Sequence, residues 1–408
     1  MIDPLLNRAS SDETPEWKRN FPAFRLIGGN VISFLGDQIY LLALPLIVLA
    51  LTGSPLAMGI VAALERLPVL LQPLAGVIAD RFHRKGILLF CDAGRGVIVG
   101  AVGVLFIRDT LMMWQLYSTA LLIGTLSQLY NTAQFATIPQ LVRNNELAKA
   151  NAVNTGLFQT AVLVGPGLGG ILINAFHLGY ALIANSLSFF LTFCAVSTLT
   201  IQPPAKDSGQ KRVMEDIKEG FSYVLQTKPI LFTNLAMLFS IFGTTLFLTM
   251  MVFYMRDGIR LTVVQIGWVL SFGGAAAVGG AILTSVLRKW WTYRQILFTA
   301  SLVGGMSIIG FSHFQSFWWL GVMNAVGTFC AAIKSPSIVT IRQRLTPNHL
   351  LGRVQATSRF MTWMLMPAAA LMAGIISEWA STETTIFWAG VIVVTASTFY
   401  LHPSLKTA

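Results

Sequence analysis

The feature that most limits what this chain can become is the recurrence of long apolar runs, each near the roughly 20 residues an α-helix needs to cross a hydrocarbon core. Twelve such runs are readable, over 24–50, 57–79, 86–107, 112–138, 152–175, 179–201, 229–254, 264–287, 295–313, 316–338, 354–377 and 384–402. The uncharged stretch from Ala150 to Ala205 is too long for one crossing, so it predicts a helical hairpin turning at His177 and Gly179. Composition fits: 54% of the residues are hydrophobic and 11% charged, against roughly 25% charged in a soluble domain. No water-facing surface can be built from so few charges, so lipid is the expected solvent. The fold class read from the sequence is therefore an all-α integral membrane protein of twelve transmembrane helices in two pseudo-symmetric six-helix bundles.

The excess of 28 Lys and Arg over 17 Asp and Glu is scattered in short groups between the apolar runs. It speaks for topology, not for a nucleic-acid surface. With the N-terminus inside, 23 of the 28 basic residues fall on the cytoplasmic face, as positively charged loops require. The expected order is a cytoplasmic tail over 1–23, a first bundle over 24–201, a cytoplasmic linker over 202–228, a second bundle over 229–402 and a short cytoplasmic tail over 403–408. Asp3, Asp12, Glu13 and Glu16 make the start unlike the basic opening of a cleaved signal peptide. Within the linker, Ile217, Phe221 and Val224 have the spacing of a short amphipathic helix over 215–224, with a plain solvated linker as the other reading. Cys91, Cys194 and Cys330 have neither disulfide nor zinc-ligand spacing, and no metal or cofactor is expected.

The halves repeat weakly at an offset of about 203 to 208 residues. Thr137, Ile138 and Gln140 answer to Thr340, Ile341 and Gln343; Gly76 answers to Gly280, and Gly36 to Gly243. Parallel repeats of this kind put a substrate cavity between two rocking units.

Few acids enter the spans. Asp37 lies mid-way along the first, Glu65 along the second beside Arg66, and Asp92 in the third, three residues before Arg95. An ionisable group at such depth costs several kcal/mol unless it is paired or faces water, so each is a functional candidate. Asp37, with no basic residue within a helical turn, is the leading proton carrier and Glu65 the second choice. The competing reading has Asp37 bonded to a neighbouring helix and serving packing alone. Adjacent Glu65 and Arg66 point about 100° apart and do not face each other squarely, so one of them is a candidate to pair with Asp37 or Asp92 across a helix interface. Asp92 and Arg95 share a helix face and are read as a charge pair.

Gly76-Val77-Ile78-Ala79-Asp80-Arg81-Phe82-His83-Arg84-Lys85 joins the second and third spans, and Gly165-Pro166-Gly167-Leu168-Gly169-Gly170 lies in the fifth. Here the sequence resembles the major facilitator superfamily, with His83 where the family's loop signature has glycine. The resemblance implies a conformational latch at Gly76, Asp80, Arg81 and Arg84, and a glycine-proline motif of antiporters at Gly165, Pro166, Gly169 and Gly170. Proline removes a backbone donor there, and the glycines let a neighbouring helix come close. Gly36-Asp37, Thr52-Gly53-Ser54, Ile138-Pro139-Gln140, Thr346-Pro347 and Gly352-Arg353 look like a bacterial drug and metabolite exporter branch that includes macrolide-efflux proteins and the enterobactin exporter.

Mid-span Tyr40, Gln128, Asn131, Gln134, Phe158, Asn324 and Trp363 are the candidate lining of a mostly apolar substrate site. The function expected is export of a small hydrophobic or amphipathic compound by alternating access, through proton-coupled antiport driven by the proton gradient alone. A dedicated siderophore or metabolite exporter and a lipid flippase are the alternatives. No enzyme chemistry is expected, because no catalytic constellation shares a common depth. The expected partners are a small-molecule substrate, protons and the lipid bilayer; the expected setting is the bacterial cytoplasmic membrane, with both termini inside and the protein a monomer.

Overall fold

A computed structural model describes residues 20–201, 213–347 and 350–406. Parts of the expected tails and linker, 1–19, 202–212 and 407–408, lie outside the described residues. All regular structure among the described residues is helical: α1 Phe21–Thr52, α2 Pro55–Arg66, α3 Gln72–Arg81, α4 Arg84–Ile107, α5 Met113–Leu141, α6 Leu147–Ala175, α7 Leu178–Ser197, α8 Val213–Gln226, α9 Lys228–Phe253, α10 Val263–Leu287, α11 Tyr293–His313, α12 Phe317–Leu345, α13 Leu351–Trp363, α14 Met366–Trp379 and α15 Thr382–Ser397.

The helix ends follow local chemistry. The Asn20 side chain accepts from the Ala23 amide at 3.0 Å and donates to the Leu141 carbonyl at 2.6 Å, which caps α1 and ties it to the end of α5. Gly53 takes φ 62° to close α1, and Ser54 with Pro55 opens α2. Thr262 with Gln265 and Thr292 with Gln295 form reciprocal capping boxes at the starts of α10 and α11.

Ten helical stretches among the described residues are long and apolar enough to span a membrane. Two of the twelve expected spans are not among them. The run over 57–79 divides into α2, a 3-10 segment Leu67–Leu71 and α3, because Pro68 and Pro73 supply no backbone donors. The run over 112–138 forms α5, which has the length but carries Gln115, Gln128, Asn131, Gln134 and several Ser and Thr residues. The expected span 354–377 divides into α13 and α14 just before Pro367, though the two together meet the length and apolarity of a span.

Contacts before α8 recur after it. α7 lies against α1 and α4, as α15 lies against α9 and α11; α5 packs on α4 as α12 packs on α11. The matched glycines share this logic: a Cβ on Gly36 would stand 2.3 Å from Asn185 of α7, and one on Gly243 would stand 2.6 Å from the Ala389 carbonyl of α15. Gly76 and Gly280 do not match in the same way. Gly280 abuts the Phe329 carbonyl, whereas Gly76 has open space where its Cβ would be. α8 docks on α13, with Gly220 against Thr357 and an ion pair between Glu219 and Arg353, so this part of the linker is a packed helix. The described segment after α15 is packed too: Leu405 is buried, and His402 stacks on Phe232 of α9 at 3.6 Å.

The segments on either side of α8 meet mainly along two seams, α2 with α14 and α6 with α10. In the first, a Cβ on Gly59 would lie 2.7 Å from the Gly374 Cα, so only glycines allow the backbones this close. At the same end the Glu378 carboxylate accepts from the Ser54 hydroxyl at 3.0 Å and the Leu56 amide at 3.2 Å. Gly59→Leu is therefore expected to pry this end open. In a variant lacking native cysteines, a cysteine pair at positions 54 and 378 should cross-link at least roughly fivefold more slowly with Gly59→Leu than without it, a population shift on the order of 1 kcal/mol. An unchanged rate would show that the seam does not depend on the glycine contact.

Candidate functional site

Asp37 is held at the middle of α1 by the glycine before it. Gly36 lets α7 close on α1, which turns the next residue along the helix towards α4, α5 and α6. There Asp37 lines a cavity of about 290 Å³ together with Asn30, Ser33, Phe34, Gln38, Arg95, Ser127, Tyr130, Asn131 and Phe158. No hydrogen bond or ion pair joins Asp37 to another described side chain, and the charges acting on it are those of Arg95 and Glu65.

Arg95 is fixed on three sides. It pairs with Asp92 at 2.6 Å, both side chains being almost completely buried, and its guanidinium sits over the rings of Tyr130 at 4.2 Å and Phe189 at 4.4 Å. The Tyr130 hydroxyl in turn donates to Asn30 Oδ1 at 2.7 Å. The pair is thus a buried cation clamped between aromatic faces, one edge of which reaches the cavity holding Asp37.

Glu65 is not part of this cavity lining. The last turn of α2 is set by α5, since a Cβ on Gly124 would fall 2.1 Å from the Glu65 carbonyl oxygen. Arg66 turns back to the Ala62 carbonyl at 3.2 Å, and no ion pair joins Glu65 or Arg66 to Asp37 or Asp92 among the described residues.

At the other predicted sites the geometry is mixed. Arg81 ends α3 and Arg84 begins α4, while the Asp80 side chain lies outside the described residues. The turn between them is tied to the end of α7: Lys85 donates to the Ser197 carbonyl at 2.7 Å, and the His83 ring meets the Ile201 carbonyl at 3.2 Å. In α6, Gly165 and Gly169 face α1 at Gln38 and Ile39, whereas Gly170 faces α10 at Val263 and Gly267. The Gly167 amide donates to Ser271 of α10 at 3.0 Å. The motif therefore packs α6 against helices from both sides of α8.

Of the candidate lining, Asn131 and Phe158 reach the cavity and Tyr40, Gln128 and Gln134 do not. Asn324 donates to the Val269 carbonyl at 2.8 Å and serves to hold α12 on α10. Trp363 lies beneath Arg359 at 4.3 Å. A larger hollow of about 500 Å³ between α10, α11 and α12, lined by residues such as Ala276, Phe329 and Ile333, is almost entirely apolar and offers no charged anchor.

Three charged residues escaped the sequence reading. Lys334, counted there with the cytoplasmic charges, belongs to the middle third of α12, where its ammonium donates to Ser240 of α9 at 3.2 Å. Arg359, counted in the same way, sits on α13. Glu378 closes one seam. The rule that singled out Asp37, a charge inside an apolar run, would have found Lys334.

Comparison with known proteins follows this geometry. The family model described as Major Facilitator Superfamily matches residues 26–371. The multidrug efflux pump Tap of Mycolicibacterium fortuitum is 26% identical over 364 residues, covering 86% of this chain and 88% of Tap. The enterobactin exporter EntS of Escherichia coli O139:H28 (strain E24377A / ETEC) is 24% identical over 366 residues, covering 88% and 86%. A crystal structure of a variant of the nucleoside transporter NupG superposes with a TM-score of 0.76 at 11% identity, covering 93% of this chain and 99% of that one.

Replacing Arg95 by leucine is expected to strand the Asp92 carboxylate and lower stability by about 3–5 kcal/mol. Adding Asp92→Asn should restore part of that loss. Thermal unfolding of the two single variants and the double variant checks this, and strictly additive losses would mean that the pair does not act as a unit.

Proposed function

The chain belongs to the Major Facilitator Superfamily, and on that premise we propose that it exports a small hydrophobic or amphipathic compound by alternating access in exchange for protons. The proposed architecture is two six-span bundles, 24–201 and 229–402, joined by the linker over 202–228. In it the divided helices α2–α3 and α13–α14 each count as one span. The proposed setting is the bacterial cytoplasmic membrane with both termini inside and the monomer as the working unit. The contact pattern repeated on either side of α8 supports this arrangement.

The observation that carries the proton-coupling proposal is Asp37: a carboxylate at mid-helix, facing a polar cavity, without a hydrogen-bonding or ion-pairing partner among the described residues. A group confined to packing would be bonded to its neighbour. One left open to a cavity can take up a proton from one side and release it to the other as access changes. Glu65, within electrostatic reach of Asp37, is the second proton-carrying candidate. Arg95 supplies a fixed positive charge on the lining of the same cavity.

The two seams supply the moving parts. Glycine contacts allow close approach of α2 to α14 and of α6 to α10 without interlocking side chains. Gly76, Asp80, Arg81 and Arg84 are proposed as the latch that weights one access state over the other. The ties from His83 and Lys85 to the end of α7 support a loop that moves with its own bundle.

Similarity to a multidrug pump and to an enterobactin exporter supports export of bulky amphipathic molecules. The second also keeps a single dedicated siderophore or metabolite as the rival reading. Efflux of a panel of macrolides, cationic dyes and siderophores from cells expressing the protein separates the two. The wild type should export at least one member, and Asp37→Asn or a protonophore should abolish that export. Export that persists with the protonophore present would remove proton coupling. Asp80→Asn is expected to slow export while leaving membrane insertion intact, and normal export by that variant would remove the latch.

A further inference from the structure

Charge is divided unequally between the spans before and after α8. α1 to α4 bring Asp37, the adjacent Glu65 and Arg66 and the Asp92–Arg95 pair into the spans, acids and bases together, whereas α9 to α15 bring Lys334, Arg342 and Arg359. The only acids after α8 are Asp257, Glu378 and Glu383. They sit in the π-helical turn after α9, at the Ser54 seam and in the first turn of α15, all at helix ends.

Two of the three cations have neutral partners that settle them. Arg342 donates to Asn234 Oδ1 at 2.6 Å, and Asn234 continues to Ser358 at 3.0 Å. Arg359 lies on the Trp363 ring. Lys334 has a single hydroxyl, that of Ser240, and the described spans packed around it, α9, α10, α11 and α13, carry no carboxylate. An ammonium at mid-membrane with only a hydroxyl for company lacks several kcal/mol of compensation unless a counter-ion arrives from elsewhere.

The internal repeat says where Lys334 stands. The offset that carries Thr137 onto Thr340 and Gln140 onto Gln343 carries Asn131 onto Lys334. Thr137 and Thr340 also share a local geometry, each hydroxyl donating to the carbonyl four residues earlier in its helix. Asn131 lines the Asp37 cavity from α5. Lys334 occupies the matching position on α12, at the level of the midpoint of α9 marked by Ser240. The two positions are counterparts across the axis that relates the repeats.

From this placement we infer that Lys334 and the Ser240 hydroxyl form an anion-binding subsite, which selects substrates bearing a carboxylate or similar compact oxyanion on an apolar body. The ammonium and the hydroxyl together present donors to two oxygens of such a group. The substrate supplies the counter-ion that α9 to α15 omit. This deepens the exporter reading and rests on it for the word substrate; the binding itself can be measured apart from transport.

The full chain in lipid nanodiscs is titrated with pyrenebutyrate and, separately, with its uncharged N-methylamide. Wild type should bind the carboxylate tighter by roughly tenfold or more, the range of a charge-assisted contact out of water. Lys334→Gln should abolish the difference by weakening only the carboxylate, and Lys334→Arg should keep most of it. Thermal unfolding confirms that each variant is folded, and Lys334→Met replaces Lys334→Gln if the latter is not. A wild type with no carboxylate preference, or with no binding of either probe, overturns the subsite, as does a preference that survives in Lys334→Gln. Should the preference follow Lys334 while no compound leaves cells expressing the wild type, the subsite stands and the exporter reading falls.

Discussion

Hydrocarbon offers the backbone no hydrogen bonds and gives packed helices no hydrophobic reward for meeting, and the rest of this structure depends on how the chain answers those two conditions. The first is met by making every described span a helix. The second is met by glycine. Gly36 against α7, Gly243 against α15, Gly59 against Gly374 and Gly170 against Val263 are places where one added carbon would collide with a neighbouring backbone or a short polar side chain. Some of these contacts lie within the helices before or after α8, and others join the two sets. The same device therefore serves packing on each side of α8 and the two seams between the sides.

Charges are placed with similar economy. Asp92 and Arg95 neutralise each other between two aromatic rings, which allows a buried cation to stand near Asp37 without becoming its salt-bridge partner. The spans before α8 carry acids and bases together, Asp37, Glu65 and Asp92 with Arg66 and Arg95, whereas those after it carry Lys334, Arg342 and Arg359 with acids only at helix ends. On the anion subsite proposed above, a dipolar cargo would enter with its negative end towards Lys334 of α12.

Much of the fold was legible because hydrophobic run length is a strong signal and because Pro, Gly and capping residues punctuate it. The hairpin at His177 and the helix in the linker both appear where the pattern put them. The divided spans were not legible, since Pro68 and Pro367 inside an apolar run leave its length unchanged while altering its backbone. The site was legible in part. Asp37 stood out as a charge in an apolar run, but Lys334 was hidden by its nearness to Arg342 and Arg344, which made it look like the edge of a basic loop. The bond from Asn324 to Val269 and the cap from Glu378 to Ser54 join residues 55 and 324 positions apart, a relation that no local pattern carries.

The divided helices have a consequence for leakage. α2 and α14, which meet at Gly59 and Gly374, are each one arm of a broken rod, continued past a joint by α3 and α13. A pair of jointed rods lying side by side can bend at one mouth while the other keeps its position. On the alternating-access cycle proposed above, joints of this kind favour a form closed at both mouths over a continuous water path, and so limit leakage during the stroke.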